Sequence, residues 1–291
     1  MHYQKELNDI LDLTDWSGLY TYNSWSVWKH IVISILVHGN EYAWLTSIHR
    51  LIFDDGLSTL ITRGKITFVV WNIEAAKKWI RYIEKDMNRV WWLQWKSAEE
   101  SRAKIIAKQM TDCDICIDIH STKKASEPFV IVDTLHDDHK DMLELMPCSY
   151  IVYDITQLLH GMAFATYMSN THTETSLVLE LWQHDDLDTH QRTYKVIKDI
   201  LVKKLWNQNI SVSSIQQKHI HISQAIHAKT LETRYFYSDT PTWFDQISAW
   251  TRFLFDGEKY RTASEDIYLI LPSTPEYIGR EIWYIWKEVK H

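Results

Sequence analysis

Two short segments of this 291-residue chain carry side chains able to hold a metal ion. His38-Gly39-Asn40-Glu41 closes the apolar run from His30 to Val37, and Asp118-Ile119-His120-Ser121-Thr122 closes Ile115-Cys116-Ile117. A run of β-branched residues ended by Gly and followed by a helical period, here Tyr42 to Asp55, reads as a buried strand feeding a helix. That places His38 at the carboxyl end of a strand and Glu41 in the first turn of a helix. Imidazole and carboxylate three positions apart across such a corner can converge on one Zn²⁺. With 15 His in the chain, about one His-x-x-Glu arises by chance, so a third ligand is required. His120, at the end of a second strand, offers it. Two His and one Glu leave the fourth zinc position open for water, which is the arrangement of a catalytic site and not of a structural one. The expectation is one Zn²⁺ per chain, held by His38, Glu41 and His120.

The surrounding pattern says what must position these residues. Residues 1 to 29 are mixed, with a turn at Asp12 to Gly18. Strands follow at Gly64 to Trp71, Ile115 to Ile119, Phe129 to Val132, Tyr150 to Tyr153 and Ser176 to Trp182. Helical stretches lie between and after them: Tyr42 to Asp55, ended by Gly56; Ala75 to Arg81; Ser97 to Asp112, with Ser97 and Glu100 forming a capping box; and Asp185 to Asn207. Strands alternating with helices predict βαβ units and a largely parallel sheet flanked by helices, with ligands bound beyond the carboxyl ends of the strands. The polar stretch Asn207 to Ser214 is the expected boundary. It divides the chain into a catalytic domain (1–210) and a small, mostly β C-terminal domain (211–291), with short strands at His219 to Ser223, Arg234 to Tyr237, Ile267 to Leu271 and Ile282 to Trp286, and a hairpin turn at Asp256-Gly257.

Composition excludes several classes. A net charge of −7 disfavours a nucleic-acid partner, whose phosphates require a basic face. No run approaches ~18 uninterrupted apolar residues, so no membrane span is expected, and Met1 to Leu13 lacks the apolar core of a signal peptide. Cys113, Cys116 and Cys148 are too few for a disulfide framework and read as small buried residues of a cytoplasmic protein. Most of the 15 Trp are expected to be packing residues. His136-Asp-Asp-His139 reads as a solvated helix start, and His219-Ile-His221 as an edge-like strand without acidic partners. There is no His-Glu-x-x-His helix, Gly-rich phosphate loop or nucleophile elbow.

His38-Gly-Asn-Glu41, Arg81-Tyr-Ile-Glu-Lys-Asp-Met-Asn88-Arg89, Asp118-Ile-His-Ser-Thr122 and Leu179-Glu180-Leu181, in that order, resemble the succinylglutamate desuccinylase and aspartoacylase family, itself related to the zinc carboxypeptidases. The resemblance implies a zinc-carboxypeptidase-like fold and an amidohydrolase acting on a small N-acyl amino acid. It makes Glu180 the general base, with Glu174 as the substitute if the alignment slips. A carboxylate inside the apolar run Leu177 to Leu181 is independently costly to bury without a purpose. Arg81 then polarises the scissile carbonyl, and Asn88 with Arg89 grips the α-carboxylate, for which a guanidinium fork is suited and an ammonium is not. From the residues alone, Arg81 to Arg89 also reads as a solvated, charged helical face. Asp118 is either an acceptor that orients His120 or an ordinary strand-end carboxylate.

Asp256 to Tyr260 and Ile278 to Arg280 resemble the desuccinylase branch, which implies cleavage of N-succinyl-L-glutamate to succinate and L-glutamate in arginine catabolism by the succinyltransferase route. The family's C-terminal domain partly covers the active-site mouth. Leu271-Pro-Ser-Thr-Pro275 stands where the family has Phe-Pro-Asn-Pro, and Asn72-Ile73 where it has Asn-Pro. Alternatives are an aspartoacylase-like deacylase, a zinc carboxypeptidase, or a non-catalytic relative that binds acyl amino acids or peptides. The residues that grip the acyl group are expected within Phe164 to Thr175 and the C-terminal domain.

Overall fold

The computed structural model describes residues 3–286 apart from 92–96, 111–112, 124, 160, 174, 184–185, 187, 207–214, 239–241, 274 and 276–277. Its strands are β1 (Leu19–Asn23), β2 (His30–Ile35), β3 (Lys65–Val70), β4 (Ile115–Thr122), β5 (Phe129–Ile131), β6 (Tyr150–Tyr153), β7 (Thr175–Gln183), β8 (Lys218–His227), β9 (Arg234–Tyr235), β10 (Asp245–Ile247), β11 (Arg252–Phe255), β12 (Tyr260–Thr262), β13 (Ile267–Ile270) and β14 (Glu281–Trp286). Among the described residues, eleven of them form one sheet in the order β1-β3-β2-β4-β7-β5-β6-β8-β14-β13-β10, and β12-β11-β9 form a small second sheet. β3, β2, β4 and β7 are mutually parallel. β5 enters antiparallel to β7, and β6 and β8 continue parallel to β5.

Every residue of β2 and β4 is buried. A strand covered on both faces needs apolar side chains on both, which is why these two appear in the sequence as runs rich in Ile, Val and Cys, interrupted by Ser34 in β2 and by Asp118 in β4. Alternate residues divide between two cores. Ile31 and Ile33 pack with Leu7, Ile10, Ile48 and Ile197 from three helices, Gln4–Leu13, Leu45–His49 and Thr189–Leu201. Val32 and Cys116 pack on the other face with Ala103, Ile106 and Phe164. Cys113, Cys116 and Cys148 are all buried and free.

The expected capping box at Ser97 and Glu100 forms, heading a helix over Ala98–Ala107. The helix after His38 starts only at Leu45, and its last turn, Arg50–Asp54, is a π-helix. Glu41 therefore lies in the preceding loop and not in a first helical turn. The helix Ile73–Lys78 ends at Trp79, whose φ of 56° terminates it, so Arg81 lies beyond it. Residues 81–86 are irregular, and only Met87–Arg89 closes a 3₁₀ turn. The charged helical face is not formed.

Two histidine readings are also corrected. His139 is fully buried, its Nδ1 accepting from His136 N (3.0 Å) and its Nε2 donating to Ser176 O (3.1 Å). His219 and His221 lie on β8, which is an interior strand with partners on both sides. Their acidic and phenolic neighbours come from β6 and the residue after it: Tyr153 Oη lies 2.6 Å from His219 Nδ1, and Asp154 Oδ2 lies 2.8 Å from His221 Nδ1.

The stretch 207–214, where a boundary was expected, lies outside the described residues. Beyond it β8 pairs with β6, so β8, β14, β13 and β10 prolong the main sheet. The expected hairpin is present, with β11 and β12 antiparallel about Asp256-Gly257 and Gly257 at φ 93°. Among the described residues no helix is long and apolar enough to cross a membrane.

Candidate active site

The first ligand pair is positioned by a tight turn. Glu41 N donates to His38 O at 3.1 Å, and Gly39 N donates to Arg81 O at 3.1 Å. Gly39 lies so close to the helix Ile73–Lys78 that a Cβ there would fall 2.3 Å from both Ala75 C and Ala76 N. Only a glycine lets the turn dock. The Glu41 carboxylate then bridges two imidazoles, with His38 Nδ1 2.6 Å from Oε1 and His120 Nδ1 2.9 Å from Oε2. All three side chains are buried, and one donor atom from each falls within 4.8 Å of the other two.

The outer nitrogens of both imidazoles face carboxylates. His120 Nε2 is 3.1 Å from Asp118 Oδ2, and His38 Nε2 is 3.1 Å from Asp86 Oδ1. Donation to these oxygens turns each Nδ1 toward the common centre, as outer carboxylates do for metal-bound histidines. Asp118 is completely buried and accepts from Ser34 Oγ at 2.6 Å. It stands behind His120 and is no solvated strand end.

Burial pushes the His120 pKa down, but Asp118 and Glu41 on either side push it up and prevail, leaving it well above its usual value. For Glu41, burial raises the carboxyl and is outweighed by His38 and His120, which hold it well below the usual range. Three buried donors around one centre, with excess negative charge behind them, fit a divalent cation of borderline softness.

The β4–β7 register slips between His120 and Thr122. Such a bulge re-aims a residue out of the alternation, and here it turns Ser121 N toward Glu41 Oε2 at 3.2 Å. Ser121 Oγ is buried without a hydrogen-bond partner among the described atoms, and Ser121 lines the cavity.

Asp86 is the residue that sequence reasoning missed. Its Oδ2 accepts from Arg81 Nε (3.2 Å) and Nη2 (3.0 Å), while its Oδ1 meets His38 and accepts from Asn88 N at 2.9 Å. One carboxylate thus ties the His38 imidazole, Arg81 and the turn bearing Asn88 and Arg89 into one unit. Burial raises the Asp86 pKa; Arg81 and then His38 override this and hold it well below its usual value. The available signal was an Asp two residues before Asn88, a spacing typical of a side chain that caps its own turn. Asn88 Oδ1 accepts from Phe164 N at 2.9 Å, and Arg89 Nη1 donates to Asn88 O at 2.9 Å.

Glu180 sits on β7 directly across from His120 on β4 and Phe129 on β5, with three further strand residues beyond it. Burial is the largest influence on its carboxyl. His120 and Arg81 lower the pKa, Glu41 and Asp118 raise it, and the outcome is about 7. A cavity of about 260 Å³ is lined by all seven residues nominated from the sequence: His38, Glu41, Arg81, Asn88, Arg89, His120 and Glu180. Its remaining walls include Val178 and Ile131, and the C-terminal part contributes Trp243, Leu271, Pro272, Ser273, Arg280, Glu281 and Tyr284. Phe164, expected near the acyl group, instead packs its ring on Trp71 and Trp91 at centroid distances of 4.5 and 5.1 Å. Its helix, Phe164–Thr171, does not line the cavity. Glu174 lies outside the described residues.

A family model described as the succinylglutamate desuccinylase/aspartoacylase catalytic domain matches residues 28–201. Succinylglutamate desuccinylase of Pseudomonas fluorescens (strain Pf0-1) is 37% identical over 60 residues, which are 21% of this chain and 18% of that protein. The chain thus matches under a fifth of that curated relative's length. Among solved structures, succinylglutamate desuccinylase from Vibrio parahaemolyticus superposes with a TM-score of 0.78 at 16% identity, covering 98% of this chain and 95% of the other. Murine aminoacylase 3 superposes with a TM-score of 0.68 at 15% identity, covering 90% and 95%. At these identities the likeness establishes the fold, the mixed, helix-flanked sheet of the zinc-carboxypeptidase kind together with its C-terminal strands. Because the family match spans the whole segment that carries the His38-Glu41-His120 cluster, Arg81 to Arg89 and Glu180, the chain belongs to the succinylglutamate desuccinylase/aspartoacylase family.

Proposed function

We propose that the protein is a zinc-dependent amidohydrolase that cleaves N-succinyl-L-glutamate to succinate and L-glutamate. The observation that supports this most is the convergence on one cavity of a buried His-Glu-His donor set, a carboxylate with a pKa of about 7 and two arginines. A zinc ion held by His38, Glu41 and His120 supplies Lewis acidity toward water and toward an amide carbonyl.

The chain's own side chains do the rest. Glu180 takes a proton from the attacking water as the C–O bond forms, then returns it to the amide nitrogen as the C–N bond breaks. A group that must accept and donate in one cycle works best with a pKa near the working pH. Arg81, aligned by Asp86, offers positive charge to the oxygen on which charge develops. Asn88 and Arg89 take the α-carboxylate of the glutamyl half. The Oδ1 of Asn88 is committed to Phe164 N, which leaves its amide donors to face the ligand.

On this reading the protein acts in arginine breakdown through succinylated intermediates, and three free buried thiols suit a reducing cytoplasm. Assay of the zinc-loaded protein on a panel of N-acyl amino acids tests the reading. N-succinylglutamate is expected to give a higher kcat/KM than N-acetylaspartate. A preference for the acetyl substrate, or for a peptide with a free C-terminus, overturns the substrate and leaves the hydrolase standing.

A further inference from the structure

Beyond Glu180 the floor of the cavity turns apolar. Val178 on β7 and Ile131 on β5 are paired residues of adjacent strands. Both line the cavity, and both belong to a hydrophobic cluster that continues to Tyr284 on β14. In the sheet order β14 lies on the opposite side of β7 from β4, which carries His120, and from β2, which leads to His38 and Glu41. The cavity therefore runs from the donor cluster, past Glu180 and over apolar side chains, toward the start of β14, where Arg280 stands in the wall. The backbone there is held on both sides of one residue, because Gly279 N donates to Ala228 O and Ala228 N donates to Arg280 O, each at 2.9 Å.

Apolar floor followed by guanidinium suits an acyl chain whose methylenes lie on the floor and whose far end is a carboxylate. Lys123, at the end of β4, also lines the cavity. It is exposed, and an ammonium is a hydrated point charge without the planar fork. Glu281 lines the same wall as Arg280 and is buried, which limits the excess positive charge there before a ligand arrives.

Resting on the proposed desuccinylase reading, we infer that Arg280 is the specificity-determining residue for the acyl half and receives the free carboxylate of a dicarboxylic acyl group. The test holds the amino acid constant and varies the acyl group: kcat/KM of the zinc-loaded full chain for N-succinylglutamate and N-acetylglutamate, in the parent, Arg280→Ala, Arg280→Lys and Lys123→Ala. Arg280→Ala is expected to lower the succinyl value on the order of 10²-fold, mainly through KM, the range for removing one partner of a buried charge pair. The acetyl value should stay within about threefold, as for a substitution that touches nothing the substrate uses. Arg280→Lys should recover part of the loss, and Lys123→Ala should leave the succinyl-to-acetyl ratio unchanged.

Calorimetric titration of succinate into Glu180→Gln supplies a readout without turnover; binding there should weaken when Arg280→Ala is added. Equal losses on both substrates, an unchanged ratio in Arg280→Ala, or a ratio that collapses only in Lys123→Ala each overturn the inference while the parent's succinyl preference keeps the desuccinylase reading. A parent enzyme with no succinyl preference overturns both.

Discussion

The pKa of Glu180 predicts that the proposed general base destabilises the fold. Its carboxyl rises from 4.5 to about 7, with burial as the first cause. At about 1.4 kcal/mol for each tenfold change, the ionised carboxylate costs the folded protein roughly 3 kcal/mol relative to the unfolded chain. The sign follows from proton counting. Between pH 4.5 and about 7 the folded protein holds the proton and the unfolded chain does not, so stability falls as pH rises through that window. Above it the full penalty applies, and below it none does. Glu180→Gln removes the charge and keeps the shape. In chelator-treated protein, where no added cation alters the balance, urea unfolding should show the variant more stable by up to ~3 kcal/mol at pH 8, with the gap closing as pH falls toward 4.5. The zinc-loaded variant should lose at least ~10² in kcat, the lower end for loss of a general base. Equal stabilities at pH 8, or a gap independent of pH, would refute the reasoning about burial. Near-normal turnover would move the base elsewhere, with Glu174 the first residue to test.

Four further outcomes follow from the same geometry. His120→Ala should drop zinc, measured by elemental analysis, from about one per chain to background and abolish hydrolysis, since three protein ligands are the minimum for such a centre; full occupancy in the variant sinks the ligand assignment. Arg89→Ala should raise KM by an amount equivalent to ~2 to 5 kcal/mol, whereas Arg81→Ala should mainly lower kcat; identical kinetic signatures in steady-state assays would merge the two roles. Asp86→Asn, which keeps the shape but loses the charge that aligns Arg81 and faces His38, should weaken zinc about 10- to 100-fold in competition with a chromogenic chelator, and unchanged affinity would reduce Asp86 to a turn cap. Gly39→Ala must displace the backbone of Ala75 and Ala76 and should cost about 1 to 3 kcal/mol in urea unfolding, together with zinc affinity; a neutral substitution would refute the close docking of the turn on Ala75 and Ala76.

Legibility in the sequence followed the range of the interaction. β2 and β4 announced themselves because strands buried on both faces need largely apolar runs, and the Ser97 box because a cap is decided within four residues. The edge strand β1 and the helix Gln4–Leu13 were read as mixed sequence. A half-covered edge strand carries a weaker signal. The helix does carry a period, with Tyr3, Leu7, Ile10 and Leu11 on the face that packs on the core, and the sequence reading passed over it. Helix ends were misjudged where tertiary contacts set them. Glu41 falls outside a helix because the His38–Glu41 turn docks on Ala75 and Ala76, a contact with no trace in the local pattern.

The site divides the same way. His38, Glu41 and His120 were nominated as ionisable groups closing apolar runs, Glu180 as a carboxylate inside one that also matched a known motif, and Arg81, Asn88 and Arg89 because their spacing matched that motif; the fold brings all seven to one cavity. Asp86 and Ser121 were not. Asp86 acts through three partners that only folding gathers, and Ser121 reaches the cavity through a bulge that breaks the alternation a sequence reader relies on. His139 illustrates the converse, since an apparent surface His-x-x-His became a core residue once β7 supplied the carbonyl of Ser176. The proposed acyl end was the least legible region for the same physical reason: its walls come from β5, β7 and β14, strands separated by as many as about 150 residues along the chain, and no local spacing records which of their side chains share one cavity. Substrate choice in this fold is therefore written mainly in contacts between distant strands, whereas the hydrolytic chemistry is written in short motifs, and that is why family membership and metal site can be read from sequence long before the acyl group can.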